Sequence, residues 1–369
     1  MRVAFVHDWL TTYRGGEKVL EALLDLYPEA PVYTLFYDSA VMPEAIQCRD
    51  VRVLRRTNLF RRGRKLLLPL LPWAIESLPL QDYDLIISTS SCVAKGAVKG
   101  PKARHLCYIH SPMRYIWDQQ AEYIAGVQHI PGAAAAIHAL TPRLRRWDIS
   151  SARRVDRFVA NSSFVADRVK HLYGREAGVV HPPIELSRFS PVPQAQRRGG
   201  YLLAAGALVS YKRFDLAIAA CSALGRHLII AGSGPMESAL RAQAQGLRAR
   251  VEFIISPDDQ RFVALLGHAD ALLFPGVEDF GMIAIEAMAS GTPVIALHAG
   301  GALDFIKPDV TGLYFAASTA ASLAATISAF VPSRFAPEAL ATYAKGYGRA
   351  AFLAQMETEI ASLLKEPMP

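Results

Sequence analysis

With 369 residues the chain exceeds one typical hydrophobic core, so two domains of about 150 to 200 residues are expected, and a hydrophobic share of 51% can fill both. No stretch reaches about 18 uninterrupted apolar residues, and MRVAFVHDWL lacks the apolar run and cleavage site of a signal peptide, so a cytoplasmic protein is expected rather than a spanning or exported one. The net charge of +7 is uneven: Arg52, Arg55, Arg56, Arg61, Arg62, Arg64 and Lys65 fall together without an acid, and LLLPLLPW follows.

A basic run leading into leucines suits an anionic membrane surface, where each cation contributes about 1 kcal/mol. Arg52 to Trp73 is therefore a candidate peripheral contact with the inner face of the plasma membrane, the alternative being a basic surface loop before a core helix. Nucleic acid is not an expected partner, since no binding module accompanies the charge. Cys48, Cys92, Cys107 and Cys221 lack C-x-x-C spacing and read as reduced, mostly buried thiols.

In chain order, MRVAFVH is a first parallel strand, followed by the loop DWLTTYRGG and the helix EKVLEALLDLYP. Gly15 and Gly16 sit at the turn, where backbone can approach a bound group and a helix beginning near Glu17 offers amides to an anion or sugar; a tight turn explains them equally. PVYTLFY and YDLIISTSS are further strands. Asp82 and Asp84 form a D-x-D, but the pair precedes its strand, at the sheet end away from ligands, so no metal site is assigned.

HLCYIHSP is a strand with His110 at its exit, where a polar ring can donate to a substrate hydroxyl; a histidine bonded to nearby backbone is the alternative. RVDRFVANSSFVADRVKHLYG supplies strand, cap at Ser162 or Ser163, and helix. His181 to Gly200, rich in Pro, Arg and Gly and without a period, reads as the linker. The pattern then restarts: YLLAAGALVSYKRFDLAIAAC gives strand, loop with Lys212 and Arg213, and helix; HLIIAGSGP gives a strand with Gly232 and Gly234 at its exit; VEFIIS gives another.

The stretch Phe274 to Ile295, FPGVEDFGMIAIEAMASGTPVI, reads as loop, helix and strand of a βαβ unit with Glu278 and Glu286 in E-x7-E spacing. The amides of Gly281, Met282 and Ile283 would face a phosphate at the carboxyl end of the sheet. On one helix the two carboxylates would be roughly 12 Å apart, beyond the separation of about 5 to 9.5 Å in glycosidase pairs, which argues against simple hydrolysis. They fit instead two parts of one extended ligand, ribose at Glu286 and a sugar at Glu278; two solvated glutamates flanking a helix N-terminus are the alternative. Lys212 and Arg213 could neutralise a diphosphate without metal.

VEDFGMIAIEAMASGTPVIA, the KR pair of ALVSYKRFD, the AGSGP loop and NSSFVADRV resemble the retaining glycosyltransferases of family 4, over nearly the whole chain. HDWLTTYRGGEKVLEAL and CYIHSPMRYIWD are similar to a bacterial subgroup that includes mannosyltransferases of polysaccharide and lipid-linked glycan assembly. The resemblance implies an α/β GT-B fold: two Rossmann-like domains facing across a cleft, here 1–185 on the acceptor side and 186–345 binding the nucleotide sugar. A C-terminal helix in 346–369, with Phe352, Met356, Ile360 and Leu364 at helical spacing, would return to the first domain.

The resemblance further implies transfer, with retention and without a metal or cofactor, of a sugar from a nucleotide diphosphate donor to a glycan or lipid-linked acceptor, mannose from GDP-mannose being the first choice. By position, Glu286 would hold the ribose, Lys212 and Arg213 the diphosphate, Glu278 with the backbone of Asp279, Phe280 and Gly281 the sugar, and His110 the sugar from across the cleft. Gly15 and Gly16 would line the donor phosphate or acceptor pocket, and Gly232 and Ser256 the donor site. Three departures stand out: Ala207 where the family often has Arg, Asp304 where it often has Glu, and no glycine near Ser256. The alternatives are a nucleotide-sugar epimerase or hydrolase on the same scaffold, or a catalytically degenerate binding protein.

Overall fold

The computed structural model describes residues 1–54, 67–118, 120, 124, 132–197, 199–247 and 249–367. The centre of the candidate membrane segment, 55–66, lies outside the described residues. The chain forms two compact units, 1–183 with 352–369, and 184–351.

The first unit holds an all-parallel sheet of β1 (Val3–His7), β2 (Val32–Thr34), β3 (Val51–Val53), β4 (Leu85–Ser90), β5 (Arg104–Ile109), β6 (Arg157–Ala160) and β7 (Ala177–Val179), in the order 3-2-1-4-5-6-7. Strands β1, β2, β4 and β5 are buried on both faces, as a parallel sheet between helices requires, while the edge strands β3 and β7 are partly exposed. Along β1, Val3 and Phe5 face one apolar layer with Val19, Leu20 and Tyr108, while Ala4 and Val6 face another with Leu35, Phe36 and Ile75. Helix α1 (Gly15–Leu23) follows β1, the long α2 (Ala133–Ala152) precedes β6, and α3 (Ser163–Tyr173) follows it. Ser162 caps α3 by accepting from the Val165 amide at 3.1 Å.

The second unit repeats the pattern with β8 (Tyr201–Ala205), β9 (His227–Ala231), β10 (Val251–Ile254), β11 (Ala271–Phe274), β12 (Val294–Leu297) and β13 (Gly312–Phe315). Their order, 10-9-8-11-12-13, is the doubly wound order whose direction reverses beside the first strand, and ligands of such sheets bind outside the carboxyl ends at that reversal. In the first unit the reversal lies between β1 and β4, in the second between β8 and β11. Helices α4 (Phe214–Leu224), α5 (Glu237–Ala244), α6 (Asp259–His268), α7 (Met282–Ala289), α8 (Ala320–Ala329) and α9 (Pro337–Ala344) complete it.

Helix α10 (Arg349–Lys365) crosses the division: from Phe352 onward it belongs to the first unit. Phe352, Met356, Ile360 and Leu363 are buried among Val3, Phe5 and Tyr108, whereas Leu364 is 41% exposed, so the apolar stripe ends one residue earlier than expected. Steps of four, four and three close three turns, which keeps the row on one face. Arg157 pairs with Glu359 at 3.0 Å, and the Arg104 guanidinium donates to the carbonyls of Glu366 and Pro367.

The expected linker was His181 to Gly200. The chain divides between Pro183 and Ile184, and in the second unit the Ile184 amide donates to Tyr347 O and Arg197 donates to the carbonyls of Val192, Ala269 and Gly291.

Candidate functional site

In the second unit the loop after β8 meets the loop after β11. Lys212, at the end of the helical turn Ser210–Lys212, is buried and places Nζ 2.6 Å from Glu278 Oε1. Glycines permit close approach of the strand exits here, Gly276 between the loops after β11 and β8 and Gly232 between those after β9 and β8. A Cβ on Gly276 would stand 2.2 Å from Tyr211 O, and one on Gly232 would stand 1.9 Å from Gly206 O, in a backbone with φ +141° that favours glycine. The amide of Gly301 donates to Glu278 O at 2.9 Å, which ties the loop after β12 to the same place.

Glu278 precedes α7, and Glu286 lies within it, half-buried. Gly281, at φ +105°, caps α7, whose first amides lack intrahelical acceptors. Met282 and Ile283 pack against the core. Asp279 contributes its backbone beside Gly301, while Phe280 is a core residue, its ring 5.4 Å from Phe305 and 6.0 Å from Tyr347. Ser256, exposed at the exit of β10, has φ +46°, a left-handed backbone retained without the glycine that adopts it most readily.

Arg213, expected beside Lys212 at the diphosphate, makes its contacts elsewhere. Its backbone is left-handed, and its guanidinium grips Asp215 through Nε and Nη2 at 3.0 Å and donates to Ser318 Oγ at 3.1 Å. It is turned to the start of α4, so Lys212 is the cation that meets Glu278.

In the first unit the exits of β1, β4 and β5 converge. Gly15 opens α1 two residues before the expected start, and a Cβ on Gly16 would lie 3.5 Å from His110 Nε2. That nitrogen is buried with no hydrogen-bond partner among the described residues. Burial, with His7 nearby, lowers the His110 pKa to about 3, so the ring is neutral at working pH and can exchange a hydrogen bond with a hydroxyl without carrying charge. Beside it, His7 Nδ1 is 2.6 Å from Thr89 Oγ1 and Nε2 is 4.0 Å from Glu17 Oε1. Burial alone would raise the Glu17 carboxyl; His7 and the backbone amides, including Arg14 N at 2.8 Å, outweigh it and hold it below the usual range.

Two arrangements here are absent from the sequence reading. Asp8, buried just beyond β1, accepts from the amides of Ser91, Cys92, Val93 and Ala94 at 2.6 to 2.9 Å and from Ser91 Oγ at 3.2 Å. An internal carboxylate thus fills the amide nest after β4. Lys95, fully buried, pairs with Asp148 at 2.8 Å and donates to Ser151 Oγ, while Asp148 Oδ2 accepts from Trp117 Nε1 and Tyr173 OH at 2.8 Å. The signals were an acid at a strand exit in VHDWL and a lone cation in SSCVAKGAV.

His105 is also buried, bonded to Ser88 Oγ at 2.8 Å, and burial lowers its pKa to about 3. Both histidines are neutral in the folded chain and protonate near pH 6.5 when it unfolds, so their contribution is complete above that pH and is lost as pH falls toward 3. Urea denaturation should lose roughly 2 kcal/mol per histidine between pH 7 and 5, with a smaller loss in His105→Gln. A pH-independent stability across that window would contradict the assignment.

Residues 14–188 match the profile described as Glycosyltransferase Family 4, and residues 189–347 that of the glycosyl transferases group 1. The D-inositol 3-phosphate glycosyltransferase of Actinosynnema mirum is 30% identical over 258 residues, 62% of this chain and 61% of that protein. That of Nocardia farcinica is 32% identical over 205 residues, 48% of this chain and 46% of its own. The matches thus span 61% or less of these relatives' length. Among solved structures, sucrose-phosphate synthase from Thermosynechococcus elongatus aligns with a TM-score of 0.75 at 18% identity over 99% of both chains. Anabaena HepE, solved in complex with UDP, aligns at 0.72 and 16% identity over 98% of this chain and 100% of its own. With two matched profiles running from residue 14 to 347 and two doubly wound parallel sheets, the chain belongs to glycosyltransferase family 4 and has the GT-B fold.

Proposed function

We propose that the chain transfers a sugar from a nucleoside diphosphate sugar to a glycan or lipid-linked acceptor, with retention of configuration and without a metal. The observation that carries this reading is the Lys212–Glu278 pair at the sheet reversal of the second unit. A buried ammonium held by one carboxylate can exchange it for a diphosphate, after which the carboxylate is released to accept hydrogen bonds from sugar hydroxyls. The N-terminus of α7 favours the same negative charge, and Glu286 one turn on is assigned to the ribose.

In the proposed reaction the bond from the anomeric carbon to the diphosphate oxygen breaks through an oxocarbenium-like state. The acceptor hydroxyl bonds to that carbon from the same face and passes its proton to the leaving diphosphate. Lys212 offsets the charge that develops there, and neutral His110 binds a sugar hydroxyl. Mannose from GDP-mannose is the first choice of donor, on the subgroup resemblance; because the Anabaena protein was solved with UDP, uridine donors are the ones to weigh against it.

The reading also assigns the chain to the cytoplasm, with Arg52 to Trp73 resting on an anionic membrane. Leu70 and Trp73 are 60% and 65% exposed, which supports the contact, and among the described residues no helix is long and apolar enough to cross a membrane. Sedimentation with phosphatidylglycerol vesicles should be lost in the Leu70→Ser, Trp73→Ser double variant; equal sedimentation would remove this part of the proposal.

The donor site is tested by thermal stabilisation with uridine, guanosine and adenosine diphosphates and their sugars, with and without EDTA. A ligand at 100 times its dissociation constant adds about 2.7 kcal/mol. One nucleoside family should stabilise selectively in both conditions, and Lys212→Ala should weaken it by roughly 10- to 150-fold, the range for a hydrogen bond to a charged group. Stabilisation by none, or only with a divalent cation, would overturn the reading or its metal-free form respectively.

A further inference from the structure

Where β1 ends, a buried imidazole and a buried carboxylate face each other across a gap that neither closes. His7, the last residue of β1, and Glu17, in the first turn of α1, are 5% and 6% exposed. His7 Nε2 and Glu17 Oε1 stand 4.0 Å apart, too far for a direct hydrogen bond. Their other polar atoms are engaged: His7 Nδ1 lies 2.6 Å from Thr89 Oγ1 on β4, and Glu17 Oε2 accepts from the Arg14 amide at 2.8 Å. One oxygen at about 2.8 Å from each of the two facing atoms spans their 4.0 Å separation, so the gap has the size of a single bridging hydroxyl or water.

The chemistry of the gap selects its occupant. Glu17 holds its carboxyl ionised despite burial, so the bridging group must donate to it. With Thr89 Oγ1 donating to His7 Nδ1, the Nε2–H donates to the same bridging group. A hydroxyl both donates and accepts, whereas an ionised phosphoryl or carboxyl oxygen only accepts. The amides at this reversal that would cradle a phosphate, those of Ser91, Cys92, Val93 and Ala94, are already filled by the Asp8 carboxylate. An anion arriving here meets two carboxylates and finds the nest taken. His110 Nε2, buried with no hydrogen-bond partner among the described residues, lies in the same corner, where its ring feels both His7 and Glu17. It offers a second hydroxyl a neutral partner. The reversal between β1 and β4 is also where a doubly wound sheet takes ligands.

We infer that Glu17 Oε1 and His7 Nε2 together hold one hydroxyl of an uncharged sugar ring at the sheet reversal of the first unit, and that Glu17 and Asp8 keep anions out of that spot. If the transferase reading holds, this ring belongs to the acceptor, and the two residues position the sugar that receives the transfer. The acceptor role rests on that reading; the hydroxyl site does not.

The test is a saturation-transfer NMR titration of the methyl glycosides of glucose, mannose and galactose into the full chain, with inorganic phosphate as competitor. At least one glycoside should bind, and phosphate should not displace it. Glu17→Gln keeps an oxygen that can accept from the Arg14 amide, so the cap of α1 survives while the ionised acceptor is lost. It should raise the dissociation constant about 10-fold or more, and His7→Gln about 2- to 10-fold, with the urea transition of each variant confirming that it folds. If Glu17→Gln does not fold, His7→Gln carries the comparison. Binding of no glycoside, displacement by phosphate, or an affinity that neither substitution changes would overturn the site and leave the gap to an internal water. Nucleotide stabilisation without sugar binding removes this site alone; sugar binding without nucleotide stabilisation leaves the site standing and removes its acceptor role.

Discussion

The second unit depends on one buried charge pair. Removing Lys212 and Glu278 from water is costly, and their attraction compensates only because the loops after β8 and β11 approach closely enough for a 2.6 Å contact. Gly276 permits that approach, with no room for a Cβ beside Tyr211 O and Lys212. The pair thus explains why Gly276 stands where it does, and it holds the ammonium in one place. A site prepared in this way spends less of its binding energy on ordering side chains.

The first unit solves a different problem, that of polar groups at the ends of a sheet buried on both faces. Asp8 satisfies four amides after β4, and Lys95 with Asp148 joins that turn to α2, α3 and the segment after His110. A connected buried network of this kind rigidifies its surroundings, and loss of one partner strands a buried charge. His110 is therefore presented by a fixed frame.

Much of this was legible in the sequence because it follows from local patterns. Short apolar runs such as VAFVH, LIIA and VIAL are the strands, and the Glu278 loop stands between β11 and α7 as its composition indicates. What escaped was set by tertiary context. The strand Ala177–Val179 is too short to show a period, and α2 carries Pro142 inside a helix, against local expectation. Arg213 reads as a partner of Lys212 by adjacency, but its left-handed backbone turns the side chain to Asp215. The E-x7-E spacing was correctly placed across a loop and helix; the Lys212–Glu278 contact, 66 residues apart, has no local signature.

The central claim is that Lys212 trades Glu278 for a diphosphate. Calorimetric titration of the stabilising nucleoside diphosphate into the parent, Lys212→Ala and Glu278→Gln tests it most directly. Exchange predicts that Lys212→Ala binds more weakly than the parent and Glu278→Gln more tightly, since the neutral side chain no longer competes for the ammonium. Equal weakening by both substitutions would contradict it and leave the pair a purely structural contact.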